Sequence, residues 1–435
     1  MNSLQVNKNK ETHMSSAAMG VKTTFTNPLK SKWVQLALGV ICMMSISSPQ
    51  YVWALFTKPI MGQLGVTLTE LQITFSILIV LQTFFSPFQG YLVDKFGPRL
   101  LLSIGTVLTG ASWVLSANLT TVSNLYITYG VLGGLGTGIV YIGVVGLMVR
   151  WFPQNRGFAV GMVAAGYGIG ALLTTFPIAA SLTESGIQGT LTFFGYIIGA
   201  VGLLAAQGIR VPHADRAQTA SQIEAAATGV APKEMLKTPV FWLMFLMMSM
   251  MSTSGLMVIS QMGAFAKDFG ITTALVFGMA ALPLALTIDR VTNGLTRPLF
   301  GWVSDRIGRE YTMTIAFGLE AIAMFAWVMT RSDPVLFVLM SGIVFFGWGE
   351  IFSLFPSTLT DTFGQKHATT NYGFLYMAQG VGSIIGGPIA AYIHGVTDSW
   401  MPVFAIMIVL DATAAILAFF VLRPMRAKYL KAKAG

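Results

Sequence analysis

Long apolar stretches, each of about twenty residues, fill most of this 435-residue chain and limit what it can fold into. An α-helix of that length spans the hydrocarbon core of a bilayer, so each stretch is typical of a membrane span. Only 10% of the residues are charged, whereas soluble domains have about a quarter. Because so little polar surface is available, we predict an all-α membrane protein.

The apolar stretches fall into two groups of six. The first six spans are predicted at residues 33–56, 70–92, 99–117, 124–149, 157–181 and 190–210, and the second six at 240–265, 275–303, 311–330, 335–358, 371–394 and 400–422. We therefore predict two six-helix bundles, 33–210 and 240–422, joined by a hydrophilic loop, 211–239. Polar tails, 1–32 and 423–435, flank them, and the first does not resemble a signal peptide.

The basic residues predict the orientation of the chain in the membrane. There are 26 Lys and Arg against 17 Asp and Glu, a formal net charge of +9. Twenty-one of those 26 lie in the tails or in loops on the same side as the tails, and three (Lys58, Lys267, Arg331) lie on the other side. The positive-inside rule then places both termini in the cytoplasm. The basic excess is a topology signal and does not indicate nucleic-acid binding.

A short motif recurs in both bundles, at the ends of the second and eighth spans. Proline, glycine, aspartate, a basic residue and glycine occur in the same register, and an arginine follows. The first copy has Pro87, Gly90, Asp94, Lys95, Gly97 and Arg99, and the second has Pro298, Gly301, Asp305, Arg306, Gly308 and Arg309. Duplicated halves with a binding site between them are a transporter architecture.

The motif has a physical interpretation. Its glycines allow two helices to approach closely, and we expect its aspartate and the adjacent basic residue to pair at a helix end and lock one conformation. The repeated motif resembles the loop signature of the major facilitator superfamily. That resemblance implies two pseudo-symmetric six-helix bundles and makes both copies of the motif candidate conformational switches.

Six ionisable residues lie in the interiors of the predicted spans, away from the span ends: Asp289, Arg290, Arg297, Glu320, Glu350 and Asp411. Charges are costly in the bilayer core, so each is a candidate functional residue. Arg297 lies eight residues before Asp305, about 12 Å along a helix, which places it near the middle of the membrane. Its equivalent in the first half is Ser86, so the fold itself does not need the charge. A guanidinium matches a carboxylate, and we interpret Arg297 as an anion site; an ion pair with Asp289 or Glu350 is the alternative.

Four of the polar residues of the eighth span, Asp289, Arg290, Asn293 and Arg297, occupy one face at 100° per residue. We expect that face to line the pathway. Asn293, one turn from Arg297, is a candidate for hydrogen bonding to substrate. Asp289 and Arg290, about two turns further out, are candidates for an external gate pair.

Glu350 is a candidate for proton coupling, because a desolvated carboxyl can bind and release protons near neutral pH. It is equally a candidate counter-ion that stays charged beside an arginine. Glu320 and Asp411 fall in spans that are peripheral in the fold implied by the resemblance. We expect them to serve packing or helix pairing.

Aromatic side chains are candidates for the walls of the site: Tyr51, Tyr141, Trp348, Phe352 and Tyr376. Tyr141 and Phe352 lie nine residues before Arg150 and Asp361, which takes them to equivalent places in the two halves. Aromatic walls exclude water and strengthen a contact between an arginine and an anion. Packing is the alternative role for each ring.

With these residues in view, the chain resembles the oxalate/formate antiporter family, which neighbours the monocarboxylate porters. The matching stretches are 49–53, 150–153, 293–298, 347–348, 355–358 and 371–374. The resemblance implies an oxalate dianion held by two cations inside an aromatic cage. Arg297 matches one of the cations. Cage positions are matched by Tyr51, Tyr141, Trp348 and Tyr376, while Phe352 stands where that family has tyrosine.

The second cation of that family, a lysine, is replaced here by Gln379. One arginine neutralises one carboxylate, whereas a second carboxylate would enter a dry pocket unpaired. We therefore predict a secondary transporter of a monocarboxylate of lactate, pyruvate or formate type, by proton symport or anion exchange. Oxalate, with its second acid group protonated or hydrogen-bonded by Gln379, is the alternative.

Other classes fit the sequence less well. The hydrophilic segments contain no glycine-rich nucleotide loop, catalytic cluster or metal-ligand spacing, so we expect neither an enzyme nor a metal or cofactor. A drug/proton antiporter, the second alternative, would favour acidic residues in the interiors of the first six spans, which have none. We expect a monomer in a bacterial inner membrane, with a small organic anion as substrate and protons as a candidate second one.

Overall fold

The computed structural model describes residues 29, 31–212, 229–271 and 273–434, and almost all of them are helical. Most of the predicted N-terminal tail and the middle of the predicted loop 211–239 lie outside the described residues. The helices up to residue 208 are called the N-terminal half below, and those from residue 239 onwards the C-terminal half.

The N-terminal half begins with short helices and ends with a long one. Its helices are α1 (Lys32–Ser45), α2 (Ser48–Tyr51), α3 (Trp53–Leu64), α4 (Leu68–Phe84), α5 (Ser86–Phe96), α6 (Pro98–Ser116), α7 (Val122–Leu125), α8 (Gly133–Trp151) and α9 (Arg156–Gly208), with a π-helical turn, Tyr126–Leu132, between α7 and α8.

The C-terminal half follows a single helical turn, α10 (Pro232–Met235). Its helices are α11 (Pro239–Asp268), α12 (Ala281–Ile307), α13 (Arg309–Met329), α14 (Pro334–Trp348), α15 (Ile351–Phe363), α16 (Ala368–Ile384), α17 (Ala390–Thr397), α18 (Met401–Leu417) and α19 (Arg423–Ala434), with π-helical turns at Ile385–Ile389 and Ala418–Leu422. Two short antiparallel strands, β1 (Leu275–Val276) and β2 (Met279–Ala280), precede α12.

Several predicted spans are bent or divided. The segments Lys32–Tyr51 and Leu55–Leu64 differ in direction by 48°, and Ile73–Phe84 and Ser86–Phe96 by 51°. The second bend comes directly before Pro87, whose missing amide hydrogen and bulky ring interrupt the helical hydrogen-bond ladder. The tenth predicted span is divided at Gly349 and Glu350, between α14 and α15.

The start of the eighth span is predicted wrongly. Residues 275–280, expected to be helical, form the β1–β2 hairpin, and α12 begins at Ala281. The turn of the hairpin holds Phe277 at φ 52° and Gly278 at φ 79°, so the chain reverses there. Over such a short segment, a run of apolar residues does not distinguish a hairpin from a helix.

Among the described residues, eight helices are long and apolar enough to cross a membrane, or ten if each bent pair counts as one span. Two features explain why this number is smaller than the predicted twelve. Helix α9 runs through both the fifth and the sixth predicted spans, with only Gly186 (φ 66°, ψ −172°) non-helical between them. Helix α12 carries several charged residues, from Asp289 to Arg306, and is therefore less apolar than its neighbours.

Glycines bring the two halves into backbone contact at two equivalent places. Helix α5 lies on α16: a Cβ on Gly90 would be 2.6 Å from the carbonyl oxygen of Thr369, and one on Gly373 would be 2.5 Å from that of Ser86. In the C-terminal copy, α12 lies on α9. A Cβ on Gly301 would overlap the backbone of Gly157, and one on Gly161 would overlap the carbonyl of Arg297.

Hydrogen bonds reinforce both crossings. The Ser86 hydroxyl donates to the carbonyl of Gly373 at 2.7 Å, and the Arg297 guanidinium donates to the carbonyl of Ala164 at 2.8 Å. Ser86 and Arg297 occupy the same place in the sequence repeat. The repeat is therefore a repeat of contacts as well as of residues.

We expect Gly90→Ala to hold the halves apart at the end that carries Asp94 and Asp305, because its methyl group would meet backbone atoms that cannot move independently. Spin labels at Lys95 and Arg306, in a Cys42→Ser background, should give a longer distance distribution than the parent protein. Gly168→Ala is the matched control, since no heavy atom lies within 4 Å of its Cβ position. Unchanged distances in Gly90→Ala would contradict the close packing described here.

Candidate functional site

Arg297 is buried in α12 and is held by neutral groups. Its side chain is 3% exposed. Nε donates to the amide oxygen of Asn293 at 2.9 Å, Nη1 donates to the Ala164 carbonyl at 2.8 Å, and the guanidinium lies 4.6 Å from the ring centre of Phe352. Across the described residues, no carboxylate is within ion-pair distance of it. The predicted alternative, an ion pair with Asp289 or Glu350, is therefore not formed.

Asn293 serves as a positioning residue for the guanidinium. It lies one turn before Arg297 on α12, is 8% exposed, and accepts the Nε hydrogen bond. Gly349 packs against it, since a Cβ there would be 2.6 Å from the Asn293 carbonyl oxygen and 2.9 Å from its side-chain oxygen. The predicted contact between Asn293 and substrate stays a prediction.

A cluster of tyrosines surrounds the arginine from both halves. Tyr141 stacks on Tyr376 with ring centres 4.9 Å apart, and meets Tyr167 edge-on at 5.5 Å. Tyr51 meets Tyr167 at 5.3 Å, and Tyr372 lies 5.7 Å from Tyr376. The cluster adjoins the arginine, because Arg297 donates to the carbonyl of Ala164, three residues before Tyr167 on α9.

Phe352 and Trp348 form the wall on the side of α14 and α15. Phe352 faces the guanidinium directly, as a cation–π partner. Trp348 stands edge-on behind Phe352 at 5.5 Å; its ring rests on Gly255, and its Nε1 donates to the Met251 carbonyl at 2.8 Å. Trp348 therefore packs within the C-terminal half and supports Phe352.

Several buried polar atoms of this region have no hydrogen-bond partner within the part of the chain that the structure describes. They are the hydroxyls of Tyr141 and Tyr372 and the side-chain oxygens of Gln82 and Gln379. Buried polar groups are normally paired, and an unpaired one is costly. These atoms are suited to hydrogen bonding with a polar guest.

Four residues of this region were not predicted: Tyr167, Tyr372, Gln50 and Gln82. The Tyr167 hydroxyl donates to Gln50 at 2.6 Å and accepts from Gln82 at 3.3 Å. Tyr167 lies between Gly166 and Gly168, and a lone aromatic between glycines in a span was an available signal. Tyr372 lies in the stretch 371–374, on which the family resemblance rests, so the sequence contained a signal for this residue as well.

Asp289 and Arg290 do not form the predicted gate pair. Asp289 is 4% exposed, Arg290 is exposed, and no ion pair joins them in the described chain. Consecutive residues point 100° apart on a helix. Asp289 therefore faces the bundle while Arg290 faces outward. Both oxygens of Asp289 lack a hydrogen-bond partner among the residues described.

Glu350 is fully buried where the tenth span is divided. It precedes α15, and both its carboxyl oxygens are without a hydrogen-bond partner in the described ranges. The charge of Arg297 reaches it, but the two groups are not in ion-pair contact. Glu350 is thus neither a paired counter-ion nor exposed, and its proton-coupling role stays a prediction.

The motif aspartates do not pair with the adjacent basic residues, contrary to our expectation. Asp94 pairs with Arg150, and Asp305 pairs with Arg309 at 2.7 Å. Lys95 and Arg306 are exposed and lie over aromatic rings, those of Tyr91 and Phe96 for Lys95 and that of Trp302 for Arg306. Neighbours on a helix diverge, whereas residues brought together by tertiary packing can point at one another.

Each motif aspartate caps a helix of the opposite half. Asp94 accepts from the backbone amide of Thr370 at 2.9 Å, near the start of α16. Asp305 accepts from the amides of Gly157 and Phe158, at 3.0 and 2.9 Å, at the start of α9. A carboxylate at a helix N-terminus satisfies free amides and interacts favourably with the helix dipole.

The remaining motif residues shape the same end of the molecule. Gly97 and Gly308 adopt positive φ values of 87° and 101°, which favour glycine at these turns. Arg99 donates to Gln207 at 3.0 Å. Asp361 of α15 pairs with Arg309 and with Arg156 of α9, which adds another bridge between the halves.

Two repeat halves closed against each other at one end, with a buried charged site between them, define a membrane transporter. Comparison with known families agrees, because the family model described as "Major Facilitator Superfamily" matches residues 36–291 and 248–435. The chain belongs to the Major Facilitator Superfamily. The predicted fold family is confirmed.

Individual relatives show which members of the superfamily the chain resembles. The chain is 36% identical to the oxalate:formate antiporter of Oxalobacter formigenes over 402 residues, which is 92% of this chain and 94% of that protein. It is 21% identical to monocarboxylate transporter 13 of Bos taurus over 334 residues, 76% of this chain and 75% of that one. The predicted resemblance to the oxalate/formate antiporter family is confirmed.

Solved structures agree on the fold. A proton:xylose symporter superposes with a TM-score of 0.69 at 15% identity, covering 90% of this chain and 96% of that one. The fucose:proton symporter of E. coli superposes with a TM-score of 0.68 at 13% identity, covering 90% and 99%.

We expect Asp305→Asn to favour the conformation in which the motif end is open, because it weakens the cap on α9, the contact by which Asp305 joins the two halves. A loss of about 1–2 kcal/mol, typical of a helix cap, changes the ratio of two states by roughly 5- to 30-fold. The spin-label distance between Lys95 and Ile307 reports this ratio. Arg306→Ala, which removes only the adjacent basic residue, should leave the distances as in the parent protein; equal shifts in both variants would contradict the assignment.

Proposed function

We propose that this chain is a secondary carrier that exchanges small carboxylates, with the anion held by Arg297. One observation carries the proposal: a buried guanidinium with two neutral acceptors and an aromatic ring, but no carboxylate partner within the described residues. An unpaired buried charge is strongly disfavoured, by about 3–5 kcal/mol when one partner of a buried pair is lost. A bound carboxylate would supply the missing charge.

The position of Arg297 supports alternating access around the bound anion. Its hydrogen bond to Ala164 crosses from the C-terminal to the N-terminal half. An anion at this place would lie between the halves, where their relative movement changes access from one side to the other. The glycine contacts and the caps by Asp94 and Asp305 keep the motif end closed in the conformation described.

Oxalate and formate are the first candidates for the exchanged anions. The sequence alone favoured a monocarboxylate, with oxalate as the alternative. The 36% identity to an oxalate:formate antiporter favours that alternative over the more distant monocarboxylate transporters. The hydroxyls of Tyr141 and Tyr372 can donate hydrogen bonds to a second carboxyl group in place of a second cation, and the side-chain oxygen of Gln379 can accept one from that group when it is protonated.

A monocarboxylate remains the second candidate because Gln379 carries no charge. A single guanidinium balances a single carboxylate, as in formate or lactate. Anion exchange and proton symport are both compatible with that substrate class. A drug/proton antiporter is disfavoured, because its cationic ligand would be repelled by Arg297.

The membrane topology is part of the proposal. We propose two six-helix halves, 33–210 and 240–422, with the linking segment 211–239, both termini and the motif end on the cytoplasmic side of a bacterial inner membrane. The concentration of Lys and Arg on that side supports it. The motif glycines and aspartates then act as the cytoplasmic gate, and no catalytic step is involved.

Reconstitution in liposomes tests the proposal. Vesicles loaded with unlabelled oxalate should accumulate labelled oxalate, and labelled formate should be taken up in exchange. Lactate measured in the same way separates the two substrate candidates. Protein-free vesicles give the background. Failure to exchange any of the three anions would contradict the proposed function.

We expect Arg297→Gln to reduce exchange to the level of protein-free vesicles, because the anion would lose its only nearby cation among the described residues. Arg290→Gln is the matched control, since that arginine lies on the exposed side of the same helix. Size-exclusion profiles should be the same for both variants. Exchange that survives in Arg297→Gln would show that the anion is held elsewhere.

We expect Gln379→Lys to shift preference from formate and lactate towards oxalate, because a second cation can balance the second carboxylate. Competition of unlabelled oxalate and lactate against labelled oxalate measures the preference. A single charge–charge contact of about 1–3 kcal/mol predicts a shift of roughly 5- to 150-fold. Identical competition curves would exclude Gln379 from the substrate site.

A further inference from the structure

Three buried carboxyl groups lie together in the C-terminal half, outside the anion site. Glu320 is on α13, Asp411 on α18 and Glu350 between α14 and α15, and each is fully buried. The helices of Glu320 and Asp411 pack against each other, and Glu320 contacts Gly347, three residues before Glu350, so the three acids lie within electrostatic reach of one another. We expected Glu320 and Asp411 to serve packing or helix pairing, and that expectation did not include a cluster with Glu350.

Small residues bring the carboxyl groups together. A Cβ on Gly347 of α14 would lie 2.9 Å from the Cβ of Glu320, so α13 and α14 touch there. Trp348 rests on Gly255 of α11. The neighbouring residue, Ser254, donates to Asp411 Oδ2 at 2.8 Å, which connects α11 with α18.

The hydrogen bonds leave most of the carboxyl oxygens unsatisfied. Within the described ranges, both oxygens of Glu320, both of Glu350 and Oδ1 of Asp411 have no partner. No ion pair reaches any of the three carboxyl groups in the described chain. Three unpaired negative charges cannot share such a dry place, because desolvation and mutual repulsion both oppose them.

A proton is the ligand that these groups can take. A metal ion needs several oxygens converging at coordination distance, and no group of three or more His, Cys, Asp or Glu among the described residues has that geometry. Glu350 supplies the second observation that points to a proton. Its side chain is completely buried, unpartnered, and within electrostatic range of Asp411, the one member that accepts a hydrogen bond.

Glu350 also connects the acid cluster with the anion site. The preceding residue, Gly349, packs against Asn293, which holds the Arg297 side chain. Arg297 and Asp411 are the charged groups within electrostatic reach of Glu350, Asp411 and Glu350 are those within reach of Glu320, and Ser254 donates to Asp411. An ionised Glu350 would compete with a substrate anion for Arg297, and a protonated one would not.

We propose that Glu320, Glu350 and Asp411 form a proton-binding site whose occupancy favours binding of the anion at Arg297. A carboxylate takes up one proton and becomes a neutral carboxyl group, and Glu350 passes that proton between the anion site and the buried pair. Because the two binding equilibria are linked, a bound proton strengthens anion binding, and a bound anion strengthens proton binding by the same factor. The inference rests on the proposed carrier function for its binding readout.

Two measurements on the whole protein in nanodiscs test this site. In the first, oxalate is added to weakly buffered protein with a pH dye, and its apparent affinity is measured across neutral pH. We expect uptake of about one proton per bound anion, and an affinity that rises up to about tenfold per unit of falling pH. Glu320→Gln and Asp411→Asn should each flatten this dependence, whereas Glu184→Gln, which changes an exposed acid, should leave it as in the parent protein.

The second measurement does not depend on any substrate. Infrared spectra of the unliganded protein should contain the carbonyl stretch of protonated carboxyl groups at neutral pH. This band should weaken in Glu320→Gln and Asp411→Asn. Size-exclusion chromatography and thermal unfolding identify any variant that is misfolded, and the spectrum of the parent protein remains informative in that case.

The outcomes separate the two proposals. Absence of the protonated-carboxyl band in the parent protein, or the same pH dependence of oxalate affinity in Glu320→Gln, Asp411→Asn and the parent, overturns the proton site while leaving exchange intact. Absence of oxalate and formate binding, with the infrared band present and reduced in the variants, overturns the proposed substrate and leaves the proton site standing.

Discussion

A positive charge that is buried with no negative partner among the described residues is the constraint on which the rest of this structure depends. The guanidinium of Arg297 is held by two neutral oxygens and one ring, which come from α12, α9 and α15. These contacts fix its direction but do not cancel its charge, and in the proposed function a guest anion supplies the missing negative charge. The close approach of α9 at Gly161 and of the α14–α15 junction at Gly349 brings the contacting groups within reach.

Pairing of buried charges also determines the structure of the motif end. Asp94 and Asp305 each face the first amides of a helix from the other half, and each also has an arginine partner. An acid that is satisfied by both a helix terminus and an arginine is stable where it is. Separation of the halves breaks its contact with the helix terminus, whereas the ion pair lies within its own half. A gate of this kind is held by a few strong contacts and can therefore change state as a unit.

The sequence predicted the fold well because its main signals are local. Apolar length predicted helices over most of the chain, and the repeated motif predicted positions whose packing recurs in both halves. The position of Arg297 followed from its distance to Asp305 along one helix. The hairpin at residues 275–280 was missed because an apolar run does not distinguish a short strand from a helix.

What the sequence could not predict depends on which helices are neighbours. The partner of Asp94 is 56 residues away, at Arg150, and not at the adjacent Lys95. Glu320 and Asp411 look like isolated charges on separate helices until Gly347 and Ser254 bring the helices together. Tyr167 of α9 joins the tyrosine cluster through ring contacts with Tyr51 of α2 and Tyr141 of α8. Such contacts are a property of packing, and helical periodicity contains no information about them.

Ser86 and Arg297 occupy equivalent positions of the repeat but differ in charge. Both donate a hydrogen bond to a main-chain carbonyl across the interface, from the same register of two similar helices. The bridging role therefore does not require a charge: a hydroxyl suffices for it, and the guanidinium performs it while also presenting a cation. A repeated scaffold can thus place a chemically distinct residue in one copy while both copies keep the same contact between the halves.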